Sequence, residues 1–220
     1  MFAIACASGN DTSSSTGGTG GGGTAGGLMA GFTVDDGGYV TSGAWHGWPW
    51  PATENPNIGT TIVPKPGDQG GPGFSAVTAG SPLCVSGTVV ADPAYGGVGL
   101  LGVSINQDKT PDNAPTGTWT PTGTGVKWQI TNTGPSPLRI QINGTAGYPT
   151  QAWCNPIISG TGPSKSGTIN WADFNSQCWA GGNGTPYDGT TPIKEVIVVV
   201  PGLNTASQAF DFCLEGIGPA

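Results

Sequence analysis

The sequence predicts an all-β fold, a sandwich or barrel of short strands joined by long loops. Three observations carry this. Gly and Pro supply 41 and 20 of the 220 residues and punctuate the chain throughout. The stretches between them are short and β-rich, and the clearest alternate apolar and polar side chains with a period of two, one row facing a core and the next facing water. No stretch repeats apolar residues at helical spacing. Eight Trp and six Phe are too many for a disordered chain, so a packed core is expected.

The chain opens on Met1-Phe2-Ala3-Ile4-Ala5-Cys6-Ala7-Ser8, too short for a whole signal peptide. Ala3-Ile4-Ala5-Cys6 resembles the end of a bacterial lipoprotein signal, in which small residues precede the Cys that receives lipid. On that reading Cys6 is lipidated and attaches the protein to a membrane, and the Gly/Thr/Ser-rich run up to residue 27 is a flexible tether. The other reading is a chance Cys in a leader. Residues 28–220 then form a single domain. Strands are predicted at 27–34, 38–43, 60–63, 74–79, 83–91, 97–106, 125–131, 138–143, 168–171, 194–200 and 209–217. Long loops are predicted at 44–59, 107–124, 144–167 and 176–192.

Charge narrows the partners. Charged residues make up 9% of the chain, and the net charge is −7, so no basic face is available for nucleic acid. Such a balance suits an exported protein that binds neutral ligands. With Cys6 set aside, Cys84, Cys154, Cys178 and Cys213 remain. None forms a Cys-x-x-Cys pair and His46 is the one His, so a zinc site is not expected. Two structural disulfides in an oxidising compartment are expected instead, with three pairings open. No apolar run is long enough to form a membrane-spanning helix.

Alternation assigns faces. In Leu138-Arg139-Ile140-Gln141-Ile142-Asn143, the aliphatic row is core, and the outward row sets the chain's one Arg beside two amides. Val126, Trp128 and Ile130 form a similar inward row, which makes Trp128 a core residue. Residues 194–200 end apolar on both faces, as in a central strand.

The order of segments resembles that of the jelly-roll, galactose-binding-like carbohydrate-binding domains of bacterial extracellular proteins. The likeness covers residues 28–217. It rests on Phe32-Thr33-Val34-Asp35-Asp36-Gly37-Gly38, on Gly43-Ala44-Trp45-His46-Gly47-Trp48, and on the Gly-rich stretch from Gly96 to Asn106. It continues through Gly125-Val126-Lys127-Trp128 with Arg139-Ile140-Gln141, then Trp171-Ala172-Asp173-Phe174, then Phe210-Asp211-Phe212 to Ile217. The resemblance implies a jelly-roll β-sandwich of two antiparallel sheets with long loops, exported to the cell surface or the medium. It also implies pairing of Cys84 with Cys213 and of Cys154 with Cys178. A structural calcium ion near the first Asp-rich turn is a further implication, with Asp35, Asp36 and Asp211 as donors; the competing reading has them as solvated turn carboxylates, and no cofactor is required.

Trp45-His46-Gly47-Trp48-Pro49-Trp50-Pro51 is the most unusual segment. Three indoles so spaced cannot all enter one core from a regular strand, and an exposed indole suits the apolar C–H face of a sugar ring. Planar amides and Arg would bind the hydroxyls around it. The expected site therefore comprises Trp45, His46, Trp48, Trp50, Asn106, Gln107, Arg139, Gln141 and Asn143, with Tyr148 and Trp153 as a second platform. The competing reading has the three indoles plug an open end of the sandwich.

Catalysis is not expected. Glycoside hydrolysis usually needs two carboxyl groups across the bond. Of three Glu, only Glu54 lies in the Trp-rich segment, with Asp173 or Asp188 as conceivable partners. A Ser-based triad would have His46 as its one candidate base. The expected function is non-catalytic polysaccharide binding; the alternative is a self-associating surface or fibre protein joined through edge strands.

Overall fold

The computed structural model describes residues 27–65, 73–111, 114–180 and 183–220. Cys6 and the tether up to residue 26 lie outside the described residues. The strands are β1 (Phe32–Val34), β2 (Val40–Ser42), β3 (Trp45–Gly47), β4 (Pro49–Thr53), β5 (Thr61–Val63), β6 (Leu83–Val89) and β7 (Gly99–Ser104). They continue with β8 (Gly125–Asn132), β9 (Leu138–Gly144), β10 (Ala152–Ile158), β11 (Gly162–Asn170), β12 (Ile193–Val200) and β13 (Gln208–Pro219). Two five-stranded antiparallel sheets, β10-β9-β12-β7-β4 and β11-β8-β13-β6-β5, form a sandwich, with a small β1-β2-β3 sheet beside them.

The core lies where alternation predicts it. Leu138, Ile140 and Ile142 of β9, with Val196, Val198 and Val200 of β12, face Val126, Trp128 and Ile130 of β8 and Phe210, Phe212 and Leu214 of β13. All are buried. Both disulfides form as the resemblance implies, Cys84–Cys213 and Cys154–Cys178. The first joins facing residues of β6 and β13.

Three strand expectations need correction. Residues 44–59 hold β3 and β4 rather than a loop. Proline is disfavoured inside a sheet, but β4 is an edge strand. The Ser104 amide donates to the Trp48 carbonyl, and the Glu54 amide to the Val98 carbonyl, so even-numbered residues pair with β7. Pro49 and Pro51 fall on the positions whose amide would face away, where its loss costs no ladder bond. The predicted loop 144–167 likewise contains β10 and most of β11, with Pro156 again on an edge strand. Residues 74–79 are not a strand. They form a turn in which Phe74 is buried and its carbonyl accepts the Val77 amide.

Candidate functional site

One sheet keeps an open face. Pairing across β9, β12, β7 and β4 sets its outward residues in rows about 6.8 Å apart along the strands. The first row runs Arg139, Val199, Leu100, Ala52; the second runs Gln141, Ile197, Gly102, Trp50; the third runs Asn143, Glu195, Ser104. This explains why β12 is apolar on both faces. Ile197 and Val199 turn from the core and pack with Val98, Leu100 and Trp50.

Gly102 is what lets Trp50 lie down. A Cβ there would stand 2.1 Å from the Trp50 ring, so the indole rests flat against bare backbone. The neighbouring loops raise this face into a groove of about 960 Å³. A second hollow of about 560 Å³ adjoins it and shares Gln141, Tyr148 and Trp179. Trp153 lines that hollow from β10, packed edge-on against Tyr187 at 4.9 Å.

The rim is aromatic. Among the described residues, the exposed large aromatics are Tyr95 (54%), Tyr148 (55%) and Trp179 (57%), and all three line the groove. Each is held in place. Trp179 follows Cys178 in a 3-10 turn that the disulfide ties to β10. Tyr95 sits at φ 60°, a left-handed conformation costly for a bulky residue. The Asp92 carbonyl accepts its amide at 2.7 Å, and the Asp92 carboxylate accepts that of Gly96 at 2.8 Å. Tyr148 projects from the β9–β10 loop toward Glu54. Burial, and then the charge and hydrogen bonding of that carboxylate, raise its pKa above the ordinary phenol value.

A polar track runs along one side. The Gln141 side-chain amide donates to Asn143 at 2.9 Å, and that of Asn143 donates to Glu195 at 3.1 Å. Lys194 stands 3.9 Å from Glu195. Arg139 is different. It is half-buried, its pKa is lowered by burial, and among the described residues its guanidinium has no hydrogen-bond or ion-pair partner.

The predicted site thus divides. Trp50, Arg139, Gln141, Asn143 and Tyr148 meet in the groove, with Trp153 in the adjoining hollow. The remainder lie away from the groove. Trp45 is buried and stacks edge-on with Trp119 at 5.4 Å, continuing to Trp171 at 6.0 Å, which is the plug reading for this one indole. Trp48 packs edge-on against Tyr39, and His46 lies 3.7 Å from Asp108. Asn106 and Gln107 brace the following loop, their amides donating to the carbonyls of Thr118 and Ala114 at 2.8 Å each.

Tyr95, Trp179, Lys194 and Glu195 were not foreseen in the sequence. The signal for the two aromatics was local: each stands within a turn next to Gly or a cross-linked Cys, where no strand could carry it into a core. Of the calcium candidates, Asp35 pairs with Lys109 at 2.8 Å and Asp36 accepts the Ala79 amide at 2.8 Å. Asp211 lies on β13. Among the described residues no three His, Cys, Asp or Glu side chains gather where they could hold a metal ion.

No family model matches the chain, and no curated protein does. Among solved structures there is a distant likeness to the crystal structure of an agarase, AgWH50C, at 12% identity and a TM-score of 0.32. It covers 62% of this chain and 22% of that one, so the chain spans about a fifth of the agarase's length.

Proposed function

We propose that the open face of the β10-β9-β12-β7-β4 sheet binds a polysaccharide without cleaving it. One observation carries this reading: every exposed large aromatic among the described residues lines the same groove, beside Trp50 and a row of amide and guanidinium groups. Apolar platforms flanked by planar hydrogen-bonding groups match the two faces of a sugar ring. The two disulfides fit an extracytoplasmic setting, where such chains are met.

Geometry favours binding over hydrolysis. Glu54 and Glu195 both line the groove, but Glu54 pairs at the level of Val98 and Glu195 at that of Ser104. Six residues of strand separate them, roughly 20 Å of backbone. A working pair of carboxyl groups stands roughly 5–9.5 Å apart. The earlier partners for Glu54 are occupied elsewhere, Asp173 with Asn170 and Asp188 with Thr190 and Thr191.

The test is affinity electrophoresis through gels holding a panel of polysaccharides, comparing the wild type with Trp50→Ala and Trp48→Ala. Retardation lost in Trp50→Ala and kept in Trp48→Ala is expected. Equal retardation of all three would move the site away from this face.

A further inference from the structure

Among the described residues, the groove contains an unspent cation. Arg139 is the only arginine in the chain, and its neighbours across the sheet are Val199 on one side and Pro156 on the other. Both groove carboxylates are remote and already engaged. Glu195 lies two rows away, four residues or roughly 13 Å along the strands. It accepts a hydrogen bond from Asn143 and pairs with Lys194 at 3.9 Å. Glu54 lies three strands away, roughly 14 Å across the sheet, and faces Tyr148. A half-buried guanidinium with its donors unmet among the described residues is costly in isolation, and hydroxyl groups of a neutral sugar would relieve that cost only in part. The planar fork matches two oxygens of one anionic group, and such bonds are roughly twice as strong as neutral ones.

Resting on the groove reading above, we propose that Arg139 receives an acidic substituent, a sulfate ester or a uronate carboxylate, borne by a sparsely charged polysaccharide. Sparse charge follows from the same groove. Glu54 and Glu195 would repel further acidic groups on a chain that carried one at every sugar, while one anion at Arg139 stands two rows from Glu195 and three strands from Glu54. The overall charge of −7 points to neutral ligands, but it is set mostly by residues outside the groove.

The experiment uses galactan, glucan and xylan gels, each prepared neutral, lightly sulfated and lightly carboxylated. The wild type, Arg139→Gln, Arg139→Lys and Trp50→Ala are compared, with melting curves to verify folding. The wild type should bind an acidic form of one backbone about tenfold more tightly than its neutral form, and this preference should fade with added salt. Arg139→Gln should lose the preference, and Arg139→Lys should keep part of it. Preference for only the sulfated or only the carboxylated gel would name the group. Equal binding to neutral and acidic forms, or a preference unchanged in Arg139→Gln, would overturn the assignment. Unimpaired binding by Trp50→Ala would overturn the groove reading itself, and this proposal with it.

Discussion

Removing the Cys154–Cys178 bridge should harm binding more than folding, and removing Cys84–Cys213 should do the reverse. The bridges span 24 and 129 residues of sequence. A cross-link lowers the entropy of the unfolded chain by an amount that grows with the logarithm of the closed loop. This gives about 3.5 kcal/mol for the shorter and about 5 kcal/mol for the longer, both upper figures. The longer bridge joins β6 to β13 in the sheet that does not bear the groove, so its loss leaves the site intact. The shorter one anchors the turn carrying Trp179 to the groove's edge strand. Without it, the contact of Asn175 with Cys154 still holds the turn's root, but the indole is freed. Loss of one ordered platform should weaken polysaccharide binding about tenfold, or about 1.4 kcal/mol. Urea denaturation of the two double variants, Cys154→Ala/Cys178→Ala and Cys84→Ala/Cys213→Ala, with binding titrations on each, tests both halves. Wild-type affinity in the first variant would remove Trp179 from the site. A larger loss of stability in the first than in the second would refute the loop-length argument.

Three further outcomes follow from individual contacts. Gly102→Ala should abolish binding as fully as Trp50→Ala, because the new methyl occupies the place of the indole; quenching of Trp fluorescence by added iodide should rise as the ring lifts. Glu215 is buried at a bulge in β13 and accepts bonds from Gln129, Thr131 and Ser164. Glu215→Ala should cost about 3 kcal/mol by denaturant titration and Glu215→Gln clearly less, with sugar binding unaffected in either folded variant. The Asp188 carboxylate accepts the Thr191 and Thr190 amides and the Thr191 hydroxyl, which lowers its pKa from 3.8 to about 2. A depressed carboxylate contributes stability above its unfolded pKa that is lost as pH falls through the folded value. The gap in denaturation midpoint between wild type and Asp188→Asn should therefore be present near neutrality and close between about pH 4 and pH 2.

Period-two alternation was enough to find the core rows of β8 and β9, because each is a half-buried strand with one wet face. It also set Arg139, Gln141 and Asn143 on a common outer face, and their meeting with Trp50 followed from sheet order, which alternation does not encode. The Trp-rich segment misled for a local reason. Its three indoles fall in three environments: Trp45 in the core, Trp48 against Tyr39, and Trp50 across Gly102. A strand change within seven residues hides that division. Tyr95 and Trp179 carried a local sign of exposure, but their place in the site was illegible because loops after β6 and β11 carry them to the groove from distant parts of the chain.

The prolines that hid β4 and β10 from sequence reading also govern how copies of the protein can meet. A free sheet edge is a comb of amides and carbonyls onto which another strand can zip. In the groove sheet both combs have gaps: Pro49 and Pro51 interrupt one, while Pro156 interrupts the other beside Cys154, whose outward groups already bond Asn175. Edge-to-edge growth through this sheet therefore lacks a continuous ladder. Copies brought together along one polysaccharide would be held by the repeats of the sugar chain, each molecule seated independently, and the Hill coefficient for such decoration should stay near one.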